Sequence, residues 1–339
     1  MTAPLLTSPV PIVAAPMAGG PSTVALARAV ASAGGFPFLA GGYKTAEALG
    51  RDIDQLRPLA DGFGVNLFVP SDDPVDEVAF AAYAHELKTE AEGYGLDLDP
   101  ASVADDDGWD AKLALLTEKP VPVVSLTFGL PDPSDIAALQ RAGSRVLATV
   151  TTPDEARLAQ HAGVDGLVVQ GPSAGGHSAT FDPTRTPESV STEALVRDVR
   201  QEVDLPVIAT GGVDGPGAVR TLLEAGAQAV AVGTLLLRTD EAGTSPTHKS
   251  ALGNPAFTET VLTRAFTGRP ARALRNGFID RHPDGVGAYP AVHHLTRALR
   301  QAAGTAGDAD RLHLWAGTGW RNAPTGPAAD VIRHLSGGV

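Results

Sequence analysis

The residues Gln170-Gly171-Pro172-Ser173-Ala174-Gly175-Gly176-His177 form the segment of this chain best suited to chemistry. A short apolar run, Gly166-Leu167-Val168-Val169, precedes them and reads as a buried strand. A strand that empties into a glycine-rich loop with one histidine has the make-up of an active-site edge. Gly175 and Gly176 would let a ligand approach the backbone. Histidine is the side chain best placed to move protons near neutral pH. Two further glycine loops, Gly211-Gly212 and Gly233-Thr234, follow later apolar runs. Free backbone N–H groups at such turns bind phosphate, so the pair predicts a phosphate cradle.

The elements that would carry these loops are eight apolar segments. They are Ile12–Met17, Phe36–Ala40, Gly64–Val69, Val121–Thr127, Val146–Val150, Gly166–Gln170, Val207–Thr210 and Ala229–Leu235. Most are apolar throughout, as parallel strands covered on both faces are. Helical patterns alternate with them. Val24 to Ala33 follows Ser22 or Thr23 as N-cap, Pro153 to Ala162 follows Thr152, and Ala218 to Ala225 ends at Gly226. Eight such units predict an α/β fold, a TIM (β/α)8 barrel, over residues 1–240. A helical insertion is expected at 71–120, with helices Pro74–Glu92 and Gly108–Glu118 around an acidic loop, Asp97–Asp107. A mostly helical region, 241–325, would pack near the barrel mouth. A C-terminal helix within 326–339 would return to the barrel.

Barrel enzymes hold their sites at the C-terminal ends of the strands. There this chain delivers Ala15-Pro16-Met17, Asn66, Ser125, Thr127, Thr149, Gln170 and the glycine loops. The set is polar and almost uncharged. It lacks the carboxylates and histidines of a metal hydrolase and the two carboxylates of a glycosidase. It suits a large planar ligand held by backbone groups and amides. Asn66 and Gln170 each offer a donor and an acceptor to a ring edge. The adjacent His293 and His294 do not share a helix face and read as structural or surface residues. Gly211 to Gly217 lacks the spacing of a dinucleotide fingerprint.

Bulk composition narrows the partners. With 26 Lys and Arg against 39 Asp and Glu, net charge is −13, which argues against nucleic acid. Cysteine is absent, which removes disulfides, thiolate metal sites and cysteine nucleophiles and fits a cytoplasmic protein. Met1 to Ala18 has no basic lead and four prolines, a poor signal peptide. No apolar run reaches the ~18 residues of a membrane span. Oligomeric state stays open, with a homodimer as one candidate.

The assembled motifs resemble the nitronate monooxygenases, formerly 2-nitropropane dioxygenases, which are FMN-dependent TIM barrels. The resemblance covers roughly residues 4 to 240. It reaches the tail at Thr267-Gly268-Arg269-Pro270-Ala271-Arg272 and Leu314-Trp315-Ala316-Gly317. It implies that Ala15, Pro16, Met17, Asn66, Gln170, Gly175 and Gly176 contact the flavin. It likewise implies that Gly211, Gly212, Gly233 and Thr234 cradle the FMN phosphate and that His177 is catalytic. The implied reaction is oxidation of alkyl nitronates by O2 to carbonyl compounds and nitrite. One departure stands out: Ser173 occupies a place where the family commonly has an acidic residue. The Ala-Gly-Gly-His loop is shared with FMN-dependent enoyl-acyl-carrier-protein reductases. NADH:quinone reductases of the same fold are a third reading, and a flavin-binding barrel without turnover is a fourth.

Overall fold

The computed structural model describes residues 5–71 and 73–337. The first residues of the expected 1–240 barrel unit and the last two of the expected C-terminal helix lie outside them. Eight parallel strands close into a barrel: β1 (Ile12–Ala14), β2 (Phe36–Ala40), β3 (Gly64–Phe68), β4 (Val123–Thr127), β5 (Arg145–Val150), β6 (Gly166–Gln170), β8 (Val207–Thr210) and β9 (Ala229–Val232). This is the TIM barrel that the apolar runs predict. Between β6 and β8 lies β7 (Gly176–His177), which belongs to a different sheet.

β3 stops one residue earlier than expected, and two other strands stop three residues earlier, for local reasons. β1 ends at Ala14 because Pro16 has no N–H and Met17 N–H donates to Ser22 Oγ at 2.9 Å. Thr23, not Ser22, therefore caps the next helix, its Oγ1 accepting from Leu26 N–H. β9 ends at Val232, and Thr234–Leu236 winds into a short 3-10 turn. The barrel interior is filled at its lower end by Leu5, Phe36, Phe38 and Val123. A Cβ on Gly64 would lie 2.2 Å from the Phe38 ring, so β3 must begin with glycine.

The region after 241 departs from its mostly helical expectation. It holds the Pro246–Gly253, Gly277–Arg281 and Ala291–Ala306 helices, but also β10 (Thr260–Thr263) and β11 (Ala271–Leu274). These two join β7 in an antiparallel sheet of order β10-β11-β7, with Ala271 opposite His177 and Arg272 opposite Gly176. The roof is thus stitched to the loop after β6. The insertion forms helices Glu77–Glu86, Lys88–Glu92 and Trp109–Glu118. Phe80, Tyr83, Ala84 and Leu87 from it share an apolar cluster with Phe266, Phe278, Val292 and Leu299 of the roof. The C-terminal helix Ala328–Ser336 buries Val331, Ile332 and Leu335 in the core around β1 and the Val24–Ser32 helix.

Candidate active site

A cavity of about 960 Å³ lies between the C-terminal ends of the barrel strands and the roof. Its volume is at the upper end for small-molecule and cofactor sites. The candidate site residues picked out above at strand ends border it: Ala15, Pro16, Met17, Asn66, Gln170, Gly175, Gly176, His177, Gly211, Gly212, Gly233 and Thr234 all line it.

The glycine loops converge on one side. Gly211 and Gly212 have φ of 110° and 79°, open only to residues without a Cβ at low cost. A Cβ on Gly212 would lie 3.0 Å from that of Ser173, and one on Gly175 would lie 2.4 Å from Gly317 N. Gly317 N–H donates to Thr234 Oγ1 at 2.9 Å, and Thr318 N–H donates to Ser173 O at 3.1 Å. A fourth segment, 316–319, therefore completes the cradle, and Ser173 is built into it. Close-packed glycine backbone with a threonine hydroxyl and no carboxylate in this group has the chemistry to take a phosphate group.

The amides are directed by the scaffold. Asn66 is buried and its Nδ2 donates to Ser125 O, Ser125 Oγ and Thr127 Oγ1 at 3.1, 3.0 and 2.9 Å. Gln170 holds the loop beyond it: Nε2 donates to His177 O at 3.2 Å and Oε1 accepts from Ala179 N at 2.8 Å. Glu155 ties down the next turn by accepting from Phe181 N at 3.0 Å. The glycine loop that reads as flexible in the sequence is thus fixed on both flanks.

His177 Nε2 lies 2.9 Å from Thr267 Oγ1. The ring is walled by Phe128, Tyr289 and Trp315, at centroid distances of 5.8, 5.5 and 5.4 Å. Desolvation, with the cations Arg269 and Arg300 nearby, pushes its pKa down to about 3. The imidazole is therefore neutral at physiological pH. Arg269, 1% exposed, donates to the Ser178 and Thr180 carbonyls and sits 4.1 Å above the Phe128 ring. Arg300 donates to His293 O and Thr296 Oγ1. Among the described residues neither has a carboxylate within ion-pair distance. Burial lowers both to about 10, which leaves them charged. Two uncompensated cations give this cavity a positive field inside an acidic protein.

His293, read above as structural or surface, is buried, borders the cavity and stacks on Tyr43 at 4.0 Å. His294 pairs with Asp105 at 2.9 Å. Tyr43 OH is 3.1 Å from Tyr289 OH. No group of three His, Cys, Asp or Glu able to hold a metal occurs among the described residues. Thr267, Arg269, Tyr43, Tyr289 and Arg300 were not legible as site residues. Only the Thr267–Arg272 motif hinted at two of them.

Comparison with known proteins matches this architecture. Residues 4–338 match the family described as nitronate monooxygenase. The chain belongs to the nitronate monooxygenase family. It is accordingly a flavin-type oxidoreductase built on a TIM barrel. A Staphylococcus aureus (strain MSSA476) member named a probable nitronate monooxygenase is 33% identical over 337 residues, covering 98% of this chain and 94% of its own. The solved nitroalkane oxidase of Streptomyces ansochromogenes is 48% identical, with a TM-score of 0.93 over 97% of this chain and 95% of that one. FabK from Thermotoga maritima is 25% identical, with a TM-score of 0.74 over 98% and 94% of the two chains. No described helix is long and apolar enough to cross a membrane.

Proposed function

We propose that this family member binds FMN and oxidises alkyl nitronates with O2 to carbonyl compounds and nitrite, and that it also accepts neutral nitroalkanes. The observation that carries the reading is the neutral His177 on the cavity wall with two buried arginines near it, Arg300 lining the cavity and Arg269 packed behind Phe128. FMN supplies the electron transfer chemistry when bound. The chain's own residues do the rest. Arg269 and Arg300 attract the nitronate anion. With Nε2–H donated to Thr267 Oγ1, His177 Nδ1 carries the bare lone pair and takes the α-proton of a neutral nitroalkane. The Thr267 contact holds the ring in place. The roof over the cavity excludes water. Kinship to a nitroalkane oxidase at 48% identity supports this substrate class. The glycine cradle supports a single terminal phosphate, hence FMN rather than FAD. A cytoplasmic location fits the chain without cysteine.

The test is direct. The flavin released from purified protein is identified by mass, and the holoenzyme is mixed anaerobically with NADH or with propyl-2-nitronate. A spectral change with the nitronate alone is the expected result. Bleaching by NADH would make the protein a reductase, and FAD in place of FMN would displace the cradle assignment.

A further inference from the structure

The cavity extends past the strand ends into the roof, between the Pro246–Gly253 and Ala291–Ala306 helices. Three side-chain atoms buried there have no protein partner: Thr244 Oγ1, His248 Nε2 and His313 Nδ1. Thr244 and His248 are 6% and 7% exposed. Buried polar groups are normally paired, and an orphan is costly. The other orphans among the described residues have different settings. Asp107 and Lys112 form an ion pair with each other, His294 pairs with Asp105, and Arg238 does not border this cavity. Three orphans bordering one cavity mark a place suited to a polar ligand group.

Their chemistry says which kind. His248 hydrogen-bonds the Trp315 backbone carbonyl, which takes its Nδ1–H because Nε2 is the orphan. Nε2 is then a bare acceptor, and burial keeps the ring neutral. His313 is also held neutral by burial. A threonine hydroxyl both gives and accepts. The three orphans offer a carboxylate only the threonine hydroxyl and one imidazole N–H, and the cations that border the cavity, Arg297 and Arg300, lie on the facing helix. A hydroxyl group can donate to His248 Nε2 and accept from the Thr244 hydroxyl and from His313 Nδ1–H. The wall lies one ring beyond the base: Trp315 is 5.4 Å from His177 and 5.3 Å from His313, centroid to centroid.

We propose that this roof end is a subsite for a hydroxyl group at the far end of the substrate chain. The preferred substrates are thus hydroxylated nitro compounds a few carbons long, not simple nitroalkanes. This rests on the nitronate reading above.

The experiment measures kcat/KM of the holoenzyme for the nitronates of nitropentanol, with its hydroxyl at the far end of the chain, and of nitrohexane, its methyl-ended counterpart. One well-formed hydrogen bond to an otherwise orphaned buried group is worth roughly tenfold in favour of the alcohol, expressed in KM. His248→Phe and, as a milder change, Thr244→Val should bring the ratio towards one by raising KM for nitropentanol. Equal kcat/KM for the two compounds in the unmodified enzyme overturns the subsite while leaving the nitronate reading intact. A preference unchanged in both variants overturns it too. Loss of flavin from both variants would assign the orphans to the cofactor's own hydroxyls, against the proposal. No turnover of either compound would remove the nitronate reading and the subsite together.

Discussion

In the proposed reaction His177 is the residue on which the chemistry turns, and its neighbours decide what it can do. With Nε2–H donated to Thr267 Oγ1, as proposed, the neutral imidazole acts as a base through Nδ1. His177→Asn keeps a polar side chain and removes proton transfer. Activity on neutral nitroalkanes should fall by about 10²–10⁴, with flavin content near normal. Activity on preformed nitronates should fall less, because their proton is already gone. Equal losses on both would make His177 an anion-positioning group instead. Thr267→Val should lower nitroalkane turnover by roughly tenfold, one hydrogen bond's worth, and Thr267→Ser should restore it. A valine variant with normal turnover would remove Thr267 from the account. At this scale the sequence was most legible where one segment held everything. His177, Gln170 and the glycines are local and carry their own logic of turn and donor. Thr267, Arg269, Tyr289 and Arg300 come from about 90 to 120 residues further on, with no spacing that relates them to His177 before the chain folds.

Elements explain which of those distant residues arrive. The barrel strands are continuous apolar runs between helix signals, so the sequence exposes them plainly. The roof strands are short and mixed, Thr-Val-Leu-Thr and Ala-Arg-Ala-Leu, and their partner is the two-residue β7. Such a pattern has no alternation long enough to read. The acidic loop Asp97–Asp107 has a structural end. Asp107 Oδ1 accepts from Tyr43 N at 2.7 Å, holding Tyr43 at φ 64°, and Asp107 Oδ2 pairs with Lys112 Nζ at 2.6 Å. Lys112 is 1% exposed, so the pair is largely removed from water. Lys112→Met should cost about 3–5 kcal/mol, the penalty for leaving a buried partner uncompensated. Adding Asp107→Asn should recover much of it, since the amide oxygen still caps Tyr43 without a charge. Urea midpoints of the single and double variants test this, and a double variant no more stable than the single would refute the pairing argument. In the cradle, Gly233→Val is the cleaner probe. A Cβ there meets only ordinary contacts with Met17 and Ala15, whereas one on Gly212 is forced against Ser173. Gly233→Val should fold and lose flavin affinity; normal flavin content would move the phosphate elsewhere.

Across the whole molecule, an acidic chain encloses a cavity ringed by neutral histidines and unpaired cations. The eight-strand barrel was legible because every unit repeats one pattern, while the roof's hold on the barrel depends on contacts between segments far apart in sequence. That enclosure has a consequence for stability. His177, His248 and His293 are held down to about 3, about 4 and about 2 by burial, with arginine charges adding to the effect on His177 and His293. His313 is also held well below its ordinary value. In the unfolded chain all four would titrate near 6.5. Their folded values lie below that, so between about pH 6 and pH 4 the unfolded state binds protons that the native state refuses. Stability contributed by the neutral rings is complete above the unfolded value and is lost as pH falls below it. Each such histidine adds about 1.4 kcal/mol per pH unit to the slope. Four together make it roughly 5 kcal/mol per unit near pH 5. Urea unfolding at pH 7, 6 and 5 should therefore show a loss between the first two that is roughly half of the loss between the last two. Replacing His293 with Phe, which cannot charge, should reduce that slope by about one proton's worth. A slope that stays the same in the His293→Phe protein would mean that this ring takes up its proton without unfolding. The enclosure inferred around Tyr43 and Arg300 would then be looser than the stacking and hydrogen bonds indicate.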